Sequence, residues 1–249
     1  MKVKSILVSQ PKPQAENSPY YEIEKVNKIK IDFRPFIQVV GVDAKDVRHQ
    51  KIDFSKATAV IFTSRNAIDH FFRLAEEMRF TVPDSMKYFC ESEAIAFYLQ
   101  KYIVYRKRKV YIGEKIFADM LPLLKKHKDE KFLLPASDVL KADVPKLLDG
   151  LKLDWQRATL FRTVSSDLSD LSDVKYDILV FFTPSGIKSL FENFPDFVQG
   201  ETRIAVFGQS TVKQAKEMGL RVDIEVPTPK IPSMTMALDK YVKEANKSK

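Results

Sequence analysis

The side chains best suited to chemistry in this chain are hydroxyl residues that follow short apolar runs. They lie in turns that we expect to lead from strands into helices, and they are Thr63, Ser64, Ser92, Ser137, Thr183, Ser185, Ser210 and Thr211. A hydroxyl at a helix start, beside the free N–H groups of the first turn, favours an anion. The pattern therefore predicts a site for a ligand with carboxylates, although each residue taken alone could be a helix cap and nothing more.

Residues for other kinds of catalysis are sparse. His49, His70 and His127 are far apart and lack metal-ligand spacing, and Cys90 is the only cysteine. The chain has 7 glycines and neither a phosphate-binding loop nor a dinucleotide fingerprint. These residues therefore argue against a histidine or cysteine metal site and against nucleotide chemistry.

The charge balance also favours an anionic ligand. Lys and Arg number 41 against 33 Asp and Glu, a net charge of +8. The basic run Arg106–Lys109, with Tyr102, Tyr105 and Tyr111 nearby, raises nucleic acid as an alternative, but no recognition module accompanies it. The first apolar run, Ile6–Val8, is too short for a signal peptide, and no run is long enough to span a membrane. We expect a cytoplasmic monomer that binds a small molecule and neither nucleic acid nor membrane.

Short apolar runs alternate with helical periodicity, as in parallel sheets covered by helices. The predicted strands are Ser5–Ser9, Lys28–Phe33, Ala59–Thr63, Tyr88–Cys90, Val110–Ile112, Lys131–Leu134, Arg157–Phe161, Ile178–Phe182, Ile204–Phe207 and Val222–Val226. The predicted helices are Ala67–Met78, Ala94–Lys101, Phe117–His127, Lys141–Leu148, Ile187–Phe194, Val212–Met218 and Met234–Ala245.

An internal repeat indicates two copies of one structural unit. Residues 62–68 (Phe-Thr-Ser-Arg-Asn-Ala-Ile) match residues 181–187 (Phe-Phe-Thr-Pro-Ser-Gly-Ile) at a separation of 119. A weaker match, at a separation of 117, aligns residues 89–94 with 206–211 and pairs Ala94 with Thr211. We therefore expect Ser64–Ala67 and Thr183–Gly186 to lie at equivalent helix starts.

The repeat predicts the domain organisation. We expect an α/β protein of two similar lobes, each a roughly five-stranded parallel sheet flanked by helices, joined by a two-stranded crossing. One lobe is discontinuous, residues 1–36 plus 170–249, and the other is inserted, residues 44–163. Segments 37–43 and 164–169 cross between them. Because ligands of such folds bind at the carboxyl ends of strands, we expect the site in the cleft between the lobes.

Several segments, taken in order, are similar to those of one known family. They are residues 6–11 (Ile-Leu-Val-Ser-Gln-Pro), 35–39 (Pro-Phe-Ile-Gln-Val), 61–68, 181–187, 204–211 (Ile-Ala-Val-Phe-Gly-Gln-Ser-Thr), Gly219-Leu220 and Pro227-Thr228-Pro229. With these motifs the chain resembles the uroporphyrinogen-III synthases over almost its whole length.

The resemblance implies a lyase that closes hydroxymethylbilane, a linear tetrapyrrole, into uroporphyrinogen III. In that reaction a hydroxyl leaves, the terminal ring attacks through its substituted carbon to give a spiro intermediate, and the ring is inverted on closure. It requires no metal or cofactor. The residues expected to bind substrate are Thr63, Ser64, Arg65, Asn66, Ser92, Ser137, Thr183, Pro184, Ser185, Gly186, Gly208, Gln209, Ser210 and Thr211.

Two positions depart from the family pattern. A tyrosine that the family often carries before the second crossing, proposed to help the hydroxyl leave, is replaced by Phe161, so the general acid is unknown and Arg162 is one candidate. The first-lobe Gly-x-x-Thr turn is replaced by residues 91–94 (Glu-Ser-Glu-Ala), which puts carboxylates near an expected anion site. These departures leave open an alternative function, a non-catalytic protein that binds a tetrapyrrole or another polycarboxylate.

Overall fold

The computed structural model describes residues 2–171 and 173–247 and divides the chain into two units. Unit 1 consists of Met1–Gln38 and Val164–Lys249, and unit 2 of Val39–Thr163. Both boundaries lie within or beside the segments 37–43 and 164–169, where we expected the chain to cross.

Unit 1 contains one five-stranded sheet whose strands pair in parallel. Its elements are β1 (Ser5–Val8), α1 (Pro19–Asn27), β2 (Lys30–Phe33), β9 (Ile178–Phe181), α7 (Pro184–Asn193), β10 (Arg203–Phe207), α8 (Gln209–Glu217), β11 (Val222–Val226) and α9 (Met234–Lys247). The strand order is β11-β10-β9-β1-β2.

The second sheet has six strands. Its elements are β3 (Ile37–Gly41), α2 (Ala44–His49), β4 (Ala59–Phe62), α3 (Arg65–Glu77), β5 (Lys87–Cys90), α4 (Glu93–Leu99), β6 (Val110–Ile112), α5 (Leu121–Lys126), β7 (Lys131–Ser137), α6 (Asp143–Gly150) and β8 (Asp154–Ser165), with 3₁₀ turns at Phe54–Lys56 and Phe117–Met120. The strand order is β3-β8-β7-β4-β5-β6, and the neighbouring strands β3 and β8 both run across the unit boundary. The predicted class, an α/β protein with two helix-flanked parallel sheets and a two-stranded crossing, is confirmed.

Both faces of each sheet are buried, which explains why the strands are apolar throughout. In unit 1, Val180 on β9 packs towards α1 and α9, whereas the next residue, Phe181, packs towards α7 and α8. In unit 2, Val60 on β4 belongs to the cluster containing α3 and α4, and Ile61 to the cluster containing α5 and α6. Successive residues of a strand point to opposite faces, so each strand supplies both layers of core.

The repeat expected from the sequence is present at the two helix starts. Ser64 is the N-cap of α3, where its Oγ accepts a hydrogen bond from the Ala67 N–H at 3.1 Å. Thr183 is the N-cap of α7, and its Oγ1 accepts from the Gly186 N–H at 3.2 Å. The prediction that the two segments occupy equivalent helix starts is confirmed.

The sequence analysis missed elements that have small buried faces. In α1 only Ile23 is buried, and in α2 only Val47, so neither helix carries a clear apolar stripe. Strand β3 was included in a crossing segment. Strand β7 continues beyond the expected end at Leu134 because Pro135 lies past the pairing with β4, which covers only Phe132 and Leu133, so its missing N–H is tolerated.

Asn193, the last residue of α7, holds the chain where it re-enters unit 1. Its side-chain amide donates to the Ser166 carbonyl at 3.0 Å, and its Oδ1 accepts from the Leu168 N–H at 3.0 Å. The Ser166 N–H donates in turn to the Phe36 carbonyl at 2.9 Å, and the buried Ser189 hydroxyl donates to the same carbonyl. One side chain therefore fixes the chain segment that follows β8. None of the helices in residues 2–171 and 173–247 has the length and apolar character of a membrane span.

We expect Asn193→Ala to lower the free energy of unfolding by about 2 kcal/mol, because two tertiary hydrogen bonds worth about 1 kcal/mol each are lost. The measurement is urea denaturation, with Lys188→Ala at an exposed position of the same helix as the control. Equal midpoints for the two variants would contradict a role for Asn193 in holding the segment.

Candidate functional site

The strand order of unit 2 creates a crevice beside β4. The chain runs outward from β4 to β5 and β6 on one side, whereas β7 and β8 lie on its other side. The helix after β4 packs on one face of the sheet and the helix after β7 on the other. The carboxyl ends of β4 and β7 therefore diverge, and this is the position at which parallel α/β sheets bind ligands.

A cavity of about 260 Å³ lies at this point; we call it the strand-end cavity. Five parts of the chain form its walls. They are the end of β4 with the start of α3, the end of β5, the 3₁₀ turn at Phe117–Met120, the end of β7 with the segment up to the first turn of α6, and β8. The residues that line it are Thr63, Ser64, Asn66, Glu91, Phe117, Ala136, Ser137, Val139, Leu140, Lys141, Val144 and Phe161.

Four of the predicted site residues of unit 2 line this cavity, and two do not. Thr63, Ser64, Asn66 and Ser137 form part of its wall. Ser92 is the N-cap of α4 but makes no capping bond with its side chain, and the exposed Arg65 lies 5.3 Å from the Tyr98 ring. The structure therefore gathers the predicted hydroxyls of β4 and β7, and leaves Ser92 and Arg65 outside.

Hydrogen bonds hold the rim beyond β7 in place. The Ser137 hydroxyl donates to the Val139 carbonyl at 2.6 Å. The Arg157 guanidinium donates to the carbonyls of Ser137 and Asp138 at 2.6 and 2.8 Å. Because Arg157 lies on β8, next to β7, the sheet itself positions this rim. The Ser137 hydroxyl lines the cavity and also stabilises the loop through its bond to Val139.

Glu91 is the carboxyl group in the cavity wall, and the sequence analysis treated it only as a departure from the family pattern. Partial burial raises the pKa of Glu91 above its usual range, the Lys141 ammonium and the Phe117 N–H act to lower it, and Asp119 and Asp143 add to the rise. The net shift is upward. Glu91 therefore holds its proton more tightly than a carboxyl in water.

Phe161 and its neighbour Arg162 lie differently with respect to the cavity. Phe161 is buried in the wall, and its ring stacks on His70 with 5.2 Å between centroids. Arg162 is exposed and is not part of the wall, since adjacent residues of β8 alternate between the faces of the sheet. Arg162, the candidate general acid, therefore lies outside the wall of the strand-end cavity.

The equivalent position in unit 1 lies between β1 and β9, where the strand order also reverses. Ser9, directly after β1, is buried and its N–H donates to the Val180 carbonyl at 3.0 Å. A β-carbon added to Gly186 would lie 3.8 Å from Ser9 Oγ and 3.5 Å from Thr183 Oγ1. Ser9, Thr183 and Gly186 therefore meet at one point, together with the first turn of α7, which contains Pro184 and Ser185.

Ser9 was absent from the predicted site residues, although the signal was present. It follows a predicted strand, as the other hydroxyls do, but no helix begins directly behind it, since α1 starts only at Pro19. Ser9 therefore does not fit the strand–turn–helix pattern of the other hydroxyls.

The start of α8 differs from the expectation in one respect. Gly208 is the N-cap, with φ of 87°, so Thr211 is the third residue of the helix and not its cap. Counted from the helix start, Thr211 corresponds to the buried Ile95, whereas Ala94 is exposed. The pairing of Thr211 with Ala94 is therefore wrong by one residue, because the turn before α4 is one residue longer.

Thr211 itself is 1% exposed, and its Oγ1 is buried without a hydrogen-bond partner among the described residues. Such a group costs about 1 to 3 kcal/mol. The adjacent residues are more accessible: Ser210 is exposed, and Gln209 donates from Nε2 to Glu225 at 2.9 Å. Free N–H groups of the first turn and an unsatisfied hydroxyl are thus combined at the start of one helix.

These features define a class of protein: two doubly wound α/β units with hydroxyl-lined strand ends suited to an anionic organic ligand. Within the described residues no group of three His, Cys, Asp or Glu side chains could hold a metal ion.

The particular family follows from sequence comparison. The family model for uroporphyrinogen-III synthase HemD matches residues 25–236, and the chain belongs to this family. Its members are cyclising lyases of heme biosynthesis. No protein of curated function matches the chain in sequence.

Solved structures support the fold. The chain is similar to the uroporphyrinogen-III synthetase of Helicobacter pylori 26695, with a TM-score of 0.62, 18% identity, and coverage of 97% of this chain and 99% of that one. It is also similar to a mutant uroporphyrinogen III synthase of the extremely thermophilic bacterium Thermus thermophilus, with a TM-score of 0.54, 11% identity, and coverage of 99% and 100%.

The raised pKa of Glu91 has a consequence for stability. When a carboxyl has a higher pKa folded than unfolded, its ionisation disfavours the folded state, so the penalty is absent below the unfolded pKa and grows as pH rises through the folded pKa. We therefore expect Glu91→Gln to raise the Tm at pH 7.5, with the gain vanishing towards pH 4. Thermal unfolding at both pH values measures this, with the exposed Glu93→Gln as the control. A gain that is larger at pH 4 would contradict the assignment.

Proposed function

We propose that this chain cyclises hydroxymethylbilane to uroporphyrinogen III with inversion of the terminal ring and loss of water, and that the strand-end residues described above bind the substrate. The observation that carries the proposal is the family match over residues 25–236. The net charge of +8 supports it, because the substrate carries carboxylates on every ring.

The strand-end groups are chemically suited to carboxylates. Thr63, Ser64 and Asn66 in unit 2, and Thr183 and Ser185 in unit 1, offer neutral hydrogen-bond donors. The Ser137 hydroxyl donates to Val139 and the Thr211 hydroxyl is buried, so each of these two must turn towards the ligand to bind it. Pro184, Gly186, Gly208, Gln209 and Ser210 contribute backbone and side-chain groups at the starts of α7 and α8. Helix starts favour negative charge. Neutral donors of this kind bind and orient a polycarboxylate without placing a full positive charge beside each carboxylate.

The strand-end cavity is matched to a part of the substrate. Its 260 Å³ lies just below the roughly 300 to 1,000 Å³ of pockets that take a whole drug-sized ligand. We infer that it receives one substituted pyrrole ring, while the other rings lie outside it. Holding one ring and its side chains at a fixed orientation is what selective ring inversion requires, since positioning alone can supply much of a rate enhancement.

The direct test is turnover of freshly prepared hydroxymethylbilane by the pure protein, followed by oxidation and separation of the porphyrin isomers. We expect type III porphyrin well above the type I background that forms without enzyme. Type I alone, with the substrate nevertheless bound, would replace the proposal with the non-catalytic tetrapyrrole-binding alternative.

We further propose a cytoplasmic monomer that does not bind nucleic acid. Light scattering after size exclusion measures the oligomeric state. A labelled oligonucleotide should show at most nonspecific attachment to the basic run at Arg106–Lys109, which fades as salt rises because it is electrostatic. Tight binding that resists salt would contradict the proposal.

Thr211 provides a test of substrate binding in unit 1. We expect Thr211→Val to raise the KM by about ten- to a hundredfold, the cost of about 1.5 to 3 kcal/mol for a lost hydrogen bond to a charged group. Its stability should be unchanged or higher, because the substitution removes a buried hydroxyl that has no partner among the described residues. Steady-state kinetics and thermal unfolding of the same variant measure both effects.

The control for Thr211→Val is Thr81→Val, at an exposed loop position, which should change neither property. A lower Tm with an unchanged KM would remove Thr211 from the substrate site.

A further inference from the structure

The proposed reaction begins with a step that needs a proton. The bond between the terminal methylene carbon and its hydroxyl oxygen breaks, and the electron pair stays on oxygen. Hydroxide is a poor leaving group, whereas water is a good one, so a positioned acid lowers the barrier. The carbon fragment left behind is a cation, which is stabilised by the nitrogen of the pyrrole ring that bears this methylene carbon.

Few groups in the strand-end cavity can supply this proton. The phenyl ring of Phe161 has none to give, and the hydroxyls of Thr63, Ser64 and Ser137 are far weaker acids than a carboxyl. The ionisable residues of the wall are Glu91 and Lys141. Of the two, Glu91 becomes a negative charge on giving up its proton, which is the charge that a newly formed cation needs nearby.

We propose that Glu91 is a catalytic residue that protonates the departing hydroxyl and then, as the carboxylate, stabilises the cationic azafulvene. This assignment rests on the proposed function. The balance is complete: the proton of Glu91 joins the leaving oxygen to give water, the ring nitrogen donates its lone pair to form the exocyclic double bond, and Glu91 carries the negative charge. When the inverted ring closes the macrocycle through its unsubstituted α-carbon, the proton lost from that carbon restores the acid.

The surroundings of Glu91 suit both halves of this cycle. Partial burial, with Asp119 and Asp143 nearby, favours the protonated carboxyl before the step. The Phe117 N–H and the Lys141 ammonium favour the carboxylate after it. These groups come from the 3₁₀ turn, from the segment before α6 and from α6 itself, so three parts of unit 2 act on one side chain.

The backbone also permits a carboxyl at this position. β5 is followed by two residues before α4, and Glu91 has no left-handed backbone. β10 is followed by one residue, Gly208, whose φ of 87° disfavours any residue with a side chain. The carboxyl therefore has no counterpart after β10 in unit 1.

The experiment compares the wild-type protein with Glu91→Gln in formation of type III product from hydroxymethylbilane. We expect the kcat of the variant to fall by about 100- to 10,000-fold, the usual contribution of a general acid, with the KM changed less than threefold. The wild-type kcat should fall as pH rises through the pKa of Glu91 in the complex, and this fall should be absent from the variant. Glu93→Gln, outside the cavity wall, is the matched control and should behave as wild type.

A double variant tests whether Glu91 acts as a proton donor or only maintains the shape of the cavity. In Glu91→Gln/Phe161→Tyr a phenol in the wall of the same cavity supplies a proton again, so kcat should recover at least tenfold over the single variant, with its loss shifted to higher pH. A purely structural role for Glu91 predicts no such rescue.

The outcomes separate the two proposals. If wild type forms only type I product, the proposed function fails and the role of Glu91 with it. If wild type forms type III product and Glu91→Gln keeps its kcat within threefold, only the role of Glu91 is overturned. Should Glu91→Gln not fold, a wild-type kcat that does not fall between pH 5 and pH 9 overturns the role instead.

Discussion

The reversal of strand order beside β4 and beside β9 determines where gaps open at the strand ends of the two sheets. Crossovers between parallel strands are right-handed, so strands added on opposite sides of a starting strand send their helices to opposite faces of the sheet. The carboxyl ends of β4 and β7, and those of β1 and β9, therefore diverge in their own units. Each gap is bordered by residues just past the strand ends, where sheet hydrogen bonding stops. In unit 2 the gap is large enough to form a cavity.

The two units have the same layout with the chain cut at different points. In unit 2 the order β4, β5, β6, β7, β8 is continuous along the chain, whereas in unit 1 the strands that correspond to β7 and β8 are β1 and β2, which come first. The layouts are thus related by circular permutation. Comparison of the chain with itself finds residues 62–68 against 181–187 and 89–94 against 206–211, because those segments keep their relative order in both copies.

Prediction from sequence succeeded where burial on two faces enforces a long apolar run, as in β9 and β10, and where a helix has a wide apolar face, as in α3. It failed at α1 and α2, which bury one residue each. At the site it found Ser64 and Thr183, whose role is local in sequence. It did not select Ser9, which lies beside Gly186, or Lys141, which lines the strand-end cavity, since their positions depend on which strands become neighbours. It also misaligned Thr211 by one residue.

The extra residue in the turn after β5 explains why an ionisable side chain follows that strand, whereas glycine follows β10. The one-residue turn from β10 into α8 has a left-handed backbone, so the position after the strand is glycine, and the third residue of α8, Thr211, carries a buried hydroxyl. A β-carbon at Gly208 would meet nothing within 4 Å, so the backbone and not a lack of space excludes a side chain there. The two-residue turn after β5 removes this restriction, and the first position can carry the ionisable Glu91. The presence of an ionisable side chain after β5 and of glycine after β10 is therefore a consequence of turn length.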